Sequence, residues 1–205
     1  YHLPNRPHFD SIEMKGGGDA VSAARAVLQT GEFDYAWNLQ VEDEVLKRME
    51  AGGKGKANIV PSGNIEFIQL NPTDPWTEVD GERASLKSKH FAFTEPAVRQ
   101  AMALVADRQA IQDFIYGRTG TATANFLNNP SRFRSPNNKF EFNTDKANAI
   151  LEAAGWKKGA DGIREKGGKK LKFVYQTSVN ALRQKEQAVV KQGAQKAGIE
   201  LELKS

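Results

Sequence analysis

The sequence predicts an α/β fold, an open mixed sheet with flanking helices, on three observations. Short segments in which apolar and polar residues alternate interleave with segments whose apolar residues recur every three or four positions. The first such segments run strand, helix, strand, helix, strand, strand, which is the order of an open α/β sheet. The chain is also the right size: 205 residues, 39% hydrophobic and 26% charged, can bury roughly 70% of the surface it exposes when unfolded.

Each element has its own signal. Residues 9–14 alternate as a half-buried strand does, and Gly16-Gly17-Gly18 breaks the pattern. Asp19 can cap a helix toward Leu28, with Val21, Ala24, Val27 and Leu28 on one side and Gly31 as its stop. Residues 33–39 alternate again, 41–49 form a short helix closed by Gly52-Gly53, and 57–60 and 65–70 read as two strands around Pro61-Ser62-Gly63-Asn64. Residues 71–93 are a connector. Thr94 then caps the strongest helix, reaching Ile115, with Pro96 in its first turn, where a missing N–H costs nothing. Its stripe of Val98, Ala101, Met102, Val105, Ile111, Phe114 and Ile115 predicts a core face, and Val98, Met102, Val105 and Ile115 are expected to be buried. After Gly117, Gly120 and a loop over 125–142, Thr144 caps a helix over 145–154 that Gly155 ends. A hairpin of 163–165 with 171–175, a helix over 182–197 and a strand over 199–203 complete the chain.

Several functional classes lack the residues they need. With no cysteine, thiol nucleophiles, cysteine zinc sites and iron–sulfur clusters are excluded. The longest apolar run, residues 101–106, is far below the ~20 residues of a membrane helix. His2, His8 and His90 have no metal-like spacing, and no Gly-x-Ser-x-Gly elbow is present, so neither a metal site nor a catalytic residue is expected, and no cofactor. The loop Gly16–Gly18 is the one phosphate-like feature, and it supports the alternative of a nucleotide- or phosphate-binding enzyme domain. Its spacing fails a dinucleotide fingerprint, because Val21 stands where a third small residue belongs. Charge is local: residues 157–172 hold seven basic and two acidic side chains, +5 of a net +4, leaving −1 elsewhere. A single Gly-rich patch of this kind fits a solvated hairpin arm better than a nucleic-acid surface, and no nucleic-acid partner is expected. Asp107-Arg108 reads as an exposed or capping pair.

The order of the motifs is more informative than any one of them. The run from Phe93 through Val98-Arg99-Gln100-Ala101 and Asp107-Arg108 to Ile111 resembles the signature of the extracellular solute-binding proteins of the oligopeptide/dipeptide/nickel class, family 5, which serve ABC importers. Arg6-Pro7 to Met14 resembles the strand opening that family's second lobe, Gly31-Glu32-Phe33-Asp34 its "G-E-x-D" strand, and Phe67 to Asn71 its strand ending in Asn. Gly117 to Ala122 is similar to its glycine turn, Phe142 to Trp156 to its "K-A…A-G-W" helix, and Gly198-Ile199 to its last strand. Two departures stand out: Asn143-Thr144-Asp145 replaces Tyr-Asp-Pro, and the 71–93 link is longer than usual.

The resemblance implies one lobe of a two-lobe, type II periplasmic-binding-protein-like fold. Residues 1–205 would be the second lobe, with the first lobe, the signal sequence and the final segment lying outside the chain. It further implies a monomeric, non-enzymatic receptor, periplasmic or extracellular and membrane-anchored, that captures a small solute, an oligopeptide by likeness, and delivers it to an ABC permease. Ligands of open α/β sheets lie beyond the carboxyl ends of strands. Trp37, Asn38, Gln40 and Asn71 sit there by the predicted elements, and Asn125 and Phe126 follow the glycine turn. An aromatic beside amides makes a sensible cleft lining. Burial of Trp37 in the core, and turn roles for Asn38 and Asn71, are the competing readings.

Overall fold

Asp19 starts the first helix as its position predicts. The Asp19 carboxylate accepts hydrogen bonds from the Ser22 N–H at 2.9 Å and the Ser22 hydroxyl at 2.6 Å, ahead of α1, Ala20–Arg25. The helix widens into a π turn over Ala26–Thr30 and stops at Gly31, whose φ of 69° suits glycine. This computed structural model describes residues 3–205, so His2 lies outside the described residues. They fall into two units: the chain up to Val41 with Leu46–Ala57, and Glu42–Val45 with Asn58–Ser205.

In the first unit Ala24 and Leu28 are buried, whereas Val21, expected on the same side, is exposed. Gly55 packs on Leu28 and the Val27 carbonyl. The helix expected over 41–49 is α2, Asp43–Glu50. The expected strands over 9–14 and 33–39 are not formed, and in the second unit neither are those over 57–60 and 65–70. Alternation prepares a segment for a pleat, but a strand exists only once a neighbour takes its backbone hydrogen bonds. Phe9, Ile12, Met14 and Phe67 accordingly stay exposed.

The second unit holds the main core. The single helix expected from Thr94 to Ile115 is broken into α3, Pro96–Val105, α4, Arg108–Ile111, and a π turn over Gln112–Tyr116. Glu95, not Thr94, is the N-cap of α3, and the Thr94 hydroxyl donates instead to the His90 carbonyl at 2.9 Å. The break comes at Ala106, in extended backbone, because Asp107 caps a new helix by accepting from the Ala110 N–H at 2.9 Å. Arg108 donates to the Ala103 carbonyl at 3.1 Å. Val98, Met102, Val105 and Ile115 are buried as expected, but the break shifts the stripe and leaves Phe114 exposed. Asn143, not Thr144, caps α5, Thr144–Ala153, by accepting from the Lys146 N–H.

The α/β class holds, with smaller sheets than the pattern predicts. β1, Lys157–Lys158, β2, Arg164–Lys166, and β3, Lys169–Lys170, form an antiparallel sheet. β4, Lys172–Gln176, pairs in parallel with β5, Glu200–Lys204. The expected hairpin of 163–165 with 171–175 is therefore corrected: β2 turns at Gly167-Gly168 onto β3, and β4 crosses over through α6, Ala181–Lys196, to β5. The Asn180 side chain caps α6 by accepting from the N–H groups of Leu182 and Arg183. Val190, Ala194 and Ala197 bury against Leu171, Ile199 and Leu201, and Phe93, Phe173 and His90 stack beside them.

Residues 157–172 do not form a bare cationic surface. Lys157 pairs with Glu152, Lys166 with Glu95, Lys170 with Asp161 and Lys172 with Glu200, at 2.6 to 3.0 Å. The acids come largely from other elements, which is why a local charge count overstates the patch. Among the described residues, no helix is long and apolar enough to cross a membrane.

Candidate solute-binding site

The residues expected at a cleft are divided between the two units. Trp37, Asn38 and Gln40 belong to the first, in the irregular segment before α2. Trp37 is 78% exposed, so it is no core residue, and most of its ring is available to a ligand. Asn38 has a φ of 54°, a left-handed turn that asparagine tolerates well. In the second unit the Asn71 side chain closes an Asx turn, accepting from the Thr73 N–H at 3.0 Å and hydroxyl at 2.7 Å. Asn71 also lines a shallow depression with Gln69, Pro72, Thr73, Ala84 and Leu86. Asn125 staples its loop: its amide donates to the Ser135 carbonyl, and its oxygen accepts from the Ser135 N–H and the Asn138 amide. That leaves Phe126 beside it exposed, with its ring 6.4 Å from that of Phe67. Asn125 is thus a positioning residue, and Phe126 with Phe67 is an open aromatic surface.

Sequence reasoning missed the deeper feature of this unit. A cleft of about 490 Å³ lies between residues 65–69 and the end of β4, lined also by Arg183 and Glu186 of α6. Arg183 holds Glu66 side-on through one edge of its guanidinium, Nη2 to Oε1 at 2.9 Å and Nε to Oε2 at 3.2 Å. Burial, and secondarily the charge of Glu66, push the Glu186 carboxyl up to about 7 against the pull of Arg183. The phenols of Tyr116 and Tyr175 are raised for the same reason, burial first and the Glu186 charge second. The available signal was the Arg183/Glu186 pair one helical turn apart together with Glu66 on the Ile68 side of its segment. No short motif marks it.

A carboxyl raised by burial carries a pH signature. The folded chain holds the Glu186 proton more tightly than the unfolded chain, whose carboxyl sits near 4.5. Its contribution to stability is complete below about 4.5 and is lost as pH rises through about 7. Replacement by Gln is expected to remove that decline, a gain on the order of 1 kcal/mol at pH 8 after allowance for solvent screening. Urea midpoints at pH 5 and pH 8 measure it; an unchanged pH slope in Glu186→Gln refutes the assignment.

The glycine loop offers less to an anion. Gly16, Gly17 and Gly18 have nothing within 4 Å of their would-be Cβ positions. The Ser22 N–H at the start of the six-residue α1 is already engaged by the Asp19 carboxylate, whose charge repels phosphate. Among the described residues, no group of three His, Asp or Glu side chains could hold a metal ion.

The first unit thus presents an exposed tryptophan, and the second a pinned aromatic loop and a polar cleft. The chain belongs to the bacterial extracellular solute-binding proteins, family 5: that family's model, "family 5 Middle", matches residues 1–205. It is 30% identical over 206 residues to the oligopeptide-binding protein AppA of Bacillus subtilis, covering 98% of this chain and 34% of AppA. A probable ABC transporter-binding protein of Deinococcus radiodurans is 29% identical, with 95% of this chain and 33% of that protein covered. The chain therefore spans about a third of the length of the curated relatives it matches. Among solved structures, AppA in complex with a nonapeptide matches 56% of this chain and 24% of its own at 32% identity, with a TM-score of 0.50. An ABC transporter substrate-binding protein from Sinorhizobium meliloti shares the fold over 91% of this chain and 36% of its own, at 24% identity and a TM-score of 0.58.

Proposed function

We propose that these residues form the second lobe of a two-lobe receptor that captures a peptide-like solute outside the cytoplasm and hands it to an ABC permease. The family match across the whole chain carries this reading, and the relative named as an oligopeptide-binding protein points it toward peptides. The work is capture by hinge closure rather than chemistry. The receptor acts as a monomer, in the periplasm or anchored at the outer membrane face, with no cofactor. Trp37 and Phe126 supply apolar contact. Asn38 and Gln40 in the first unit and Asn71 in the second supply neutral donors and acceptors, and Asn125 fixes the loop that carries Phe126.

Calorimetric titration of the full-length receptor with tri- to nonapeptides tests this directly. Trp37→Ala is expected to weaken peptide binding about tenfold, roughly 1.4 kcal/mol, while leaving the unfolding midpoint unchanged, because the ring is largely exposed. Unchanged affinity removes Trp37 from the site. Binding of nucleotides in place of peptides returns the alternative of a phosphate-binding domain at Gly16–Gly18.

A further inference from the structure

His90 does the work that a turn usually gives to an asparagine. Its Nδ1 accepts from the backbone N–H of Ala92 at 3.1 Å and of Phe93 at 3.0 Å, the reach of two and three residues by which an Asn or Asp side chain closes a turn or caps a helix. Backbone amides only donate, so Nδ1 must present its lone pair, and the ring is the neutral tautomer with its proton on Nε2. Stacking fixes the ring in place: its centroid lies 4.8 Å from that of Phe91 and 4.5 Å from that of Phe93, with Phe173 of β4 at 5.8 Å.

The main chain of the same residue fastens the connector. The His90 N–H donates to the Pro72 carbonyl at 2.9 Å, the Asp74 N–H donates to the Ser88 carbonyl at 3.1 Å, and Thr73 bridges Lys89 in antiparallel fashion. These contacts tie residues 72–74 to 88–90 and close the 71–93 connector at its base. Asn71 stands at the start of that tie, and its side chain turns on the same Thr73. The Thr94 hydroxyl adds a bond to the His90 carbonyl, so His90 joins the base of the connector to the entry of α3.

A proton on Nδ1 would turn this acceptor into a donor aimed at two donors. The charged groups on the elements around the ring do little to offset that. Asp74 in the connector attracts an imidazolium, but its carboxylate already accepts from the Trp76 N–H and the Thr77 hydroxyl. Lys89, next in the chain, is exposed and of the same sign. At the start of α3, Glu95 is paired with Lys166 of β2 and Arg99 donates to the Phe93 carbonyl, while on β4 Lys172 is paired with Glu200. Burial outweighs Asp74 and lowers His90 below the ordinary histidine value of 6.5. The closed turn therefore holds the proton less tightly than an opened one. Its contribution is complete above about 6.5 and is lost as pH falls below that value.

We propose that His90 is an acid-opened latch: as the neutral imidazole it fastens the 71–93 connector and the adjoining Asn71, and on gaining a proton from an acidic medium it releases both, so that the receptor binds its solute less tightly in acid. This rests on the reading above of Asn71 as a cleft residue and of the receptor as facing the medium. The latch itself rests on the two backbone N–H groups held by one titratable side chain.

Amide hydrogen exchange and peptide titration on the full-length receptor, at about pH 7.5 and about pH 5 on either side of the histidine range, test the proposal. Exchange is read as protection relative to the intrinsic rate at each pH. Protection of the Ala92 and Phe93 amides is expected to fall about tenfold in acid, the scale of losing a hydrogen-bond acceptor, and peptide affinity to fall with it. His90→Asn offers an oxygen to the same two N–H groups and does not titrate, so it should keep both amides protected at either pH and remove the acid-dependence of affinity. His90→Phe keeps the stack without an acceptor and should leave both amides poorly protected throughout. Equal protection at the two pH values in the parent overturns the proposal, as does an equal acid loss in His90→Asn or full protection in His90→Phe. Opening in acid with peptide affinity unchanged also overturns it, because the connector then does not govern the site. If no peptide binds at either pH while the amides still open through His90, the reading of the solute as a peptide falls and the latch remains.

Discussion

Arg164→Ala is expected to lower the unfolding free energy by about 3–5 kcal/mol, the loss typical of breaking a buried charged network from one side. Arg164 is 3% exposed, and all three nitrogens of its guanidinium donate. Nε donates to the Ala197 carbonyl at 2.9 Å, Nη1 to the Trp156 carbonyl at 2.5 Å and to Glu152 at 2.7 Å, and Nη2 to Asn148 at 2.8 Å. One side chain on β2 thereby ties the end of α5 to the end of α6. Truncation removes the guanidinium donors from two carbonyls and an amide oxygen, and each acceptor left stranded costs about 1–3 kcal/mol. Arg164→Lys keeps the charge but offers one point in place of a planar fork, so it should recover less than half of the loss. Urea denaturation with an unchanged m-value is the measurement. A loss below about 1 kcal/mol for Arg164→Ala would mean that water replaces the guanidinium and that the network is not a support.

Arg164 also shows what the sequence conceals. It stands in a stretch with six lysines, and nothing local distinguishes the buried cation from its exposed neighbours, because its partners lie up to 33 residues away. Elements decided by nearby residues were legible: the cap of α1 at Asp19, the glycine stops and the buried stripe of α3 all depend on chemistry within a turn or two. Strand pairing depends on a distant partner. Alternation therefore marked residues 65–70 without revealing that they line a gap, and it gave β4 the wrong neighbour. The site was legible in the same uneven way. Trp37 was picked out as an aromatic among amides, and Asn125 as a loop residue, yet the bond pattern that makes Asn125 a staple and Phe126 an open ring exists only in the folded loop. Nothing in the sequence sets Glu186 apart from other helix glutamates, since only folding removes water from it.

Gly193→Ala tests how tightly the core of this unit is closed. In an exposed helix the change would stabilise by up to about 1 kcal/mol, because alanine is the better helix former. Gly193 is buried in α6, and a Cβ there would lie 2.1 Å from the Val105 carbonyl oxygen and 3.1 Å from its carbon, against an ordinary contact of about 3.5 Å. The obstruction is backbone, at the last residue of α3 where that helix breaks, so no side-chain rotation relieves it. The two helices must move apart by about 1 Å, loosening Val190 and Ala194 from the core they share with Val105. Overpacking of this kind costs about 1–3 kcal/mol, and rigid backbone on the far side places the expected net loss at about 2–3 kcal/mol. Gln192→Ala, one residue earlier and on the exposed face, should stay within about 0.5 kcal/mol of the parent. If Gly193→Ala instead raises the urea midpoint, helix propensity has won over packing, and α6 and α3 do not approach as closely as the structure places them.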